Sequence, residues 1–155
     1  SMGVTGMRFG SPDDEVIGMQ IESQGDRLLV VSENGMGKRT ETSEFKTQGR
    51  GGKGVLCYKV TEKTGKLIGA KLCGDDSDLM LITNEGIIMR TPISSISLIG
   101  RNTSGVRIMN IDTEAGVYVA SIAKTRGGDS ESSEDEDIEE TEEEITAGEE
   151  EDQDE

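Results

Sequence analysis

The chain has 155 residues, a formal net charge of −16, two Cys and no His or Trp. No run of about 18 apolar residues is present, which excludes a membrane-spanning helix, and two Cys with no His anywhere cannot build a zinc site. The N-terminus does not read as a signal peptide, and Cys57 and Cys73 read as a reduced pair, with a bridge between strand neighbours as the alternative.

The net charge hides a split. Residues 129–155 hold 17 acidic side chains and no Lys or Arg, whereas residues 1–128 hold 15 acids and 16 bases. The body is therefore near neutral, and a polyacidic segment follows it. With two Ile, one Ala and no aromatic, residues 129–155 cannot bury enough apolar surface to order themselves, and they are expected to form a disordered tail.

In chain order, short apolar and β-branched runs are separated by Gly, Asn and Asp. This pattern predicts an all-β body with strands near residues 4–9, 15–22, 27–32, 37–41, 55–60, 67–73, 79–83, 87–91, 105–109 and 117–123. Glu33-Asn34-Gly35, Lys63-Thr64-Gly65 and Asn84-Glu85-Gly86 read as hairpin turns in which Gly supplies positive φ. The aromatic residues Tyr58 and Tyr118 fall in strand patterns and read as packing residues.

The body repeats itself at an offset of 51 residues. Leu28 to Gly35 matches Leu79 to Gly86, Arg39-Thr40 matches Arg90-Thr91, Arg50 matches Arg101, and Gly54-Val55 matches Gly105-Val106. Ile17-Gly18 matches Ile68-Gly69, whose own counterpart is Val119. Gly6-Met7-Arg8-Phe9 is a further copy of the element at Gly54 and Gly105. About four short strands per repeat is the pattern of propeller blades, so residues 1–128 are expected to hold about two blades.

The chemistry concentrates in Gln48-Gly49-Arg50-Gly51-Gly52-Lys53-Gly54, which has four glycines, two cations and no apolar side chain. Glycines let the backbone approach a ligand closely. Successive amides can line a concave anion site, and Arg50 and Lys53 add charge that suits phosphate. Gln48 can donate to a phosphate oxygen or brace the loop. Lys38, Arg39 and Lys46 lie just upstream, and Arg90, Arg101 and Arg107 recur one repeat later. The competing readings are a flexible basic connector for the loop and plain surface charge for the later arginines. A nucleotide-binding P-loop is excluded, because Gly54 stands at its Ser/Thr position, Thr47 at its first Gly, and a strand pattern follows. Asp75-Asp76-Ser77-Asp78 lacks the Gly and distal Glu of a calcium loop and reads as a polar hairpin turn.

With these residues in view, residues 3 to 125 resemble the C-terminal domain of DNA gyrase A, the β-pinwheel. The hairpin from Leu28 to Thr40, Ser43-Glu44-Phe45 and the box from Gln48 to Gly54 carry the resemblance, together with the second hairpin from Leu79 to Thr91 and a degenerate second box from Gly100 to Val106. The family's box reads Gln-Arg-Arg-Gly-Gly-Lys-Gly. Gly49 stands at its first Arg, which suits a secondary copy of the box. About two blades followed by an acidic tail look like the last part of a domain of about six.

The resemblance implies a non-enzymatic module that binds and wraps double-stranded DNA for negative supercoiling by an ATP-hydrolysing type II topoisomerase. Its partners would be the remainder of gyrase A, together with gyrase B, in the bacterial cytoplasm. ATP and Mg would be used elsewhere in the intact enzyme, and no cofactor, metal or catalytic residue is expected in this chain. The DNA-contacting set would be Lys38, Arg39, Lys46, Gln48 to Gly54, Arg90, Arg101 and Arg107. A topoisomerase IV C-terminal domain is a closer relative than unrelated β-repeat proteins, but the box argues against it. The alternative from another class is a β-repeat protein-interaction module whose acidic tail docks a basic partner. Open sheet edges in a two-blade chain are expected to exchange strands, within the chain or in a dimer.

Overall fold

The computed structural model describes residues 1–126, so the expected acidic tail and the boundary at 128 lie outside the described residues. The body is all-β, as its alternating apolar runs require. The strands are β1 (Arg27–Ser32), β2 (Met36–Glu41), β3 (Leu67–Cys73), β4 (Ser77–Thr83), β5 (Ile88–Pro92), β6 (Val106–Arg107) and β7 (Val119–Arg126). Short 3-10 turns at Thr42–Glu44 and Ile93–Ser95 follow β2 and β5 and repeat the same chain path.

Two antiparallel sheets result. One has the order β3-β1-β2-β6 and the other β5-β4-β7. Each is built on a hairpin, β1-β2 or β4-β5, whose turn ends in a positive-φ glycine, Gly35 at 76° or Gly86 at 81°. The sheets are not self-contained. β6 follows the second hairpin in sequence but pairs with β2 of the first sheet, through Met36↔Arg107 and Gly37↔Val106. The strand exchange expected for this repeat therefore takes place within the chain.

The hydrophobic core lies between the sheets. Leu29 and Val31 of β1 pack with Leu79 and Leu81 of β4, Ile93, Ile96 and Val119, all buried. Under the 51-residue repeat, Leu79 and Leu81 are equivalent to Leu28 and Val30, which alternate with Leu29 and Val31 along β1. Opposite faces of equivalent strands thus meet, and the units stack front to back. Tyr58 is also buried, whereas Tyr118 is exposed and is not the packing residue expected of it.

The strands expected at 4–9, 15–22 and 55–60 do not form. Only an isolated bridge, Met7↔Gly52, remains in these segments. Their formed counterparts explain this. β6 pairs with a strand about 70 residues earlier, and β3 with one about 40 residues earlier. No strand among the described residues pairs with the three unformed segments, and a lone strand has no ladder to stabilise it. The turn at residues 62–65 accordingly leads into β3 from irregular chain and closes no hairpin. Residues 74–76 are not a hairpin turn either, because they carry the chain from β3 in one sheet to β4 in the other.

Candidate nucleic-acid interface

The box from Gln48 to Gly54 runs over the surface after the Thr42–Glu44 turn. Gly51 and Gly54 have φ of 74° and 79°, values that side-chain-bearing residues avoid. The box is anchored on the N-terminal segment. The Gly51 amide donates to the Gly6 carbonyl at 2.9 Å, and the Arg8 amide to the Gly52 carbonyl at 2.9 Å. Arg50, Lys53 and Lys46 are exposed, while the Gln48 side chain donates to the Lys46 carbonyl at 3.2 Å and so braces the loop. Arg8, also exposed, joins these cations. The sequence-derived set omits it, although Gly6 to Phe9 is a further copy of the glycine element and that copy is the signal that points to it.

The second loop, from Gly100 to Val106, lies against the chain that leaves the first box. The Lys59 amide donates to the Thr103 carbonyl at 2.9 Å, and the Arg101 guanidinium donates to the Leu56 carbonyl at 3.0 Å. That guanidinium also sits 5.9 Å from the centre of the Phe45 ring. Residues 45 apart in sequence are thereby held together, and the two glycine loops form one continuous region. Arg107, just beyond the second loop on β6, is exposed. Arg90 is exposed on β5 and pairs with Asp78 at 2.7 Å.

Two expected members of the set do not reach the surface. Lys38 is fully buried. Its ammonium donates to the carbonyls of Gly100 at 2.7 Å and Arg101 at 2.5 Å and to the Thr103 hydroxyl at 3.0 Å. It also stands 5.4 Å from the centre of the Tyr58 ring. Burial pulls its pKa below the ordinary lysine value. Arg39 is 6% exposed and donates to the carbonyls of Ile96 at 2.8 Å and Ser94 at 3.1 Å and to Asp75. Strand alternation on a hairpin buried on both faces turns these two side chains inward, where carbonyls and a carboxylate satisfy them. Neither is placed to contact a phosphate. Cys57 and Cys73 are free, and burial pushes both thiols up in pKa.

What remains at the surface suits a polyanion. Arg8, Lys46, Arg50, Lys53 and Arg107 offer charge, and glycines allow close backbone approach. Such groups contact phosphates without reading base edges.

Comparison with known proteins gives a consistent result. The family model "DNA gyrase C-terminal domain, beta-propeller" matches residues 26–73 and 77–126. The chain is 43% identical over 130 residues to the DNA gyrase A protein of Campylobacter fetus, covering 83% of this chain and 15% of that protein. It is 39% identical over 130 residues to the DNA gyrase A protein of Pseudomonas aeruginosa, covering 83% of this chain and 14% of that protein. A solved DNA gyrase A C-terminal domain superposes with a TM-score of 0.61 at 28% identity, over 65% of this chain and 34% of that one. A solved topoisomerase IV C-terminal domain shares the fold, with a TM-score of 0.59 at 21% identity, over 68% of this chain and 32% of that one. The chain spans about one seventh of the length of the curated relatives it matches.

Proposed function

Because the chain belongs to the family of the DNA gyrase C-terminal β-propeller domain, we propose that it is a DNA-binding and DNA-wrapping module of a gyrase. It presents duplex to an intact ATP-hydrolysing type II topoisomerase for negative supercoiling. The observation that carries this reading is the joined pair of glycine loops with Arg8, Lys46, Arg50, Lys53 and Arg107 exposed around them. Gly52 and Gly54 let phosphate oxygens reach backbone amides, while the Gly51 amide stays on the Gly6 carbonyl, and the cations displace condensed counterions. Duplex geometry, not sequence, is then recognised.

In this reading the chain is non-catalytic. The partners are double-stranded DNA, the remainder of gyrase A, and gyrase B, in a bacterial cytoplasm. Residues 129–155 act as an internal polyanion that competes with phosphates for the loops. Tethering raises the effective concentration of such a competitor to the order of mM, against non-specific DNA affinities of roughly 10⁻⁴–10⁻⁶ M. Deleting 129–155 should tighten DNA binding at low salt, with the gain shrinking as salt rises. Equal binding with and without these residues at low salt leaves them a role in solubility only.

The decisive experiment uses a nicked circular plasmid ligated in the presence of the full chain. Wrapping shifts the linking number of the closed product. An unchanged distribution at saturating protein rejects wrapping and favours a protein-interaction module.

A further inference from the structure

We propose that Lys38 is a positioning residue for the second glycine loop, holding Gly100 to Gly105 in the shape that presents its backbone amides to a phosphate. This rests on the DNA-binding reading above.

The ammonium has three N–H donors, and the structure uses them on three acceptors of a single loop, 62 to 65 residues away in sequence. A buried charge is costly unless fully paired, so the loop carbonyls must stay turned inward. In a planar trans peptide the carbonyl and the following amide point in opposite directions. Drawing in the carbonyls of Gly100 and Arg101 therefore turns the amides of Arg101 and Asn102 away from Lys38. The Arg101 amide already holds an anionic partner, the Glu44 carboxylate at 3.2 Å. A carboxylate oxygen there stands where a phosphate oxygen could bind.

Two further observations separate this role from ordinary core packing. The residue equivalent to Lys38 in the second hairpin is Met89, so the strand position itself does not require a charge. The loop is also brought to Lys38 by a backbone crossing that only glycine permits. Gly105 has φ +73°, and a Cβ there would lie 2.5 Å from the Gly37 carbonyl oxygen. The ring of Tyr58, from the chain leaving the first box, covers the ammonium. One buried cation thus lies against the second loop and the chain that leaves the first.

The test uses the full chain with Lys38→Met, the residue found at position 89, and with Thr103→Val, which removes one acceptor from the loop side together with the hydroxyl's own hydrogen bond to the Gly100 carbonyl. Each is measured at a temperature where thermal unfolding shows it folded, so Thr103→Val decides if Lys38→Met does not fold. Two readouts are taken: amide NMR shifts of residues 100–105 without ligand, and duplex binding across salt concentrations. Both variants should move the amide signals of Arg101 and Asn102 while leaving those of Gly49 to Lys53 in place. The magnitude of the salt slope should fall by about 0.9 for each phosphate no longer bound. Arg107→Ala should cost less in the variant background than in the parent, whereas Arg50→Ala should cost the same in both.

Unchanged signals at Arg101 and Asn102 overturn the proposal, as does full additivity of both arginine substitutions with the variants. If the parent binds no duplex at any salt concentration, the DNA-binding reading fails. The amide shifts then decide separately whether Lys38 shapes the loop.

Discussion

Arg39 and Asp75 pair across the seam between the two sheets. Arg39 sits on β2 of the first sheet, while Asp75 lies in the chain that crosses from β3 to β4. The same guanidinium donates to the carbonyls of Ser94 and Ile96, which follow β5 of the second sheet. Asp75 also receives Arg27, which in turn pairs with Glu41 at 3.2 Å. A side chain that sequence reading assigns to DNA therefore fastens one repeat to the next.

This pairing predicts a dependence of stability on pH. Hydrogen bonds from Arg27, then Arg39, hold the Asp75 carboxyl below its ordinary value of 3.8. A carboxyl with a depressed folded pKa contributes stability that is complete above the unfolded value and is lost as pH falls through the folded one. The chain should lose stability below about pH 4, and Asp75→Asn should flatten that part of the profile while lowering stability at pH 7. Because Asp75 is half exposed, solvent screening should keep the loss at pH 7 small. Denaturant unfolding of both proteins from pH 7 to pH 3 measures this. Parallel profiles would assign the acid loss to other carboxylates.

The crossing of Gly105 over Gly37 makes a second prediction. Gly105→Ala adds a methyl group 2.5 Å from a backbone oxygen at φ +73°. Gly86→Ala meets the same backbone problem, at φ +81°, with nothing within 4 Å. The shared conformational cost is of order 1–3 kcal/mol. Gly105→Ala should exceed it and lower Tm further than Gly86→Ala. Calorimetry of the two variants compares them directly, and equal melting temperatures would mean that the crossing relaxes freely.

At the proposed interface, Arg50→Ala combined with Lys53→Ala should weaken duplex binding to all sequences alike. Each phosphate given up should reduce the magnitude of the salt slope by about 0.9. Both side chains are exposed, so the two substitutions together should change stability by no more than about 1 kcal/mol. Titrations with two unrelated duplexes at several salt concentrations provide the check. Parent-like binding would make the box a connector.

Strand β5 leaves an edge of the second sheet open among the described residues, with Ile87 and Ile88 more than half exposed. Open apolar edges pair with other strands. The chain should self-associate as its concentration rises, and Ile88→Lys should suppress this. Sedimentation velocity over a wide concentration range tests it. A monomer throughout would show that this edge is not used between copies.

The sequence by itself determined the repeat, the all-β class, both hairpins and the exposed glycine box. These depend on short-range patterns: alternation of apolar residues with period two, and glycines where turns need positive φ. The 51-residue offset placed Leu28 on Leu79 and Arg50 on Arg101 without any coordinates. Tertiary structure decided what local pattern cannot carry. Strand formation at 55–60 depends on a partner far away in the chain, so an apolar run there still stays irregular. The fate of a cation likewise depends on what faces it. Lys38, Arg39 and Arg50 look alike as letters near a glycine loop. Only the stacking of one hairpin on the next places carbonyls and a carboxylate around the first two, and leaves Arg50 at the surface.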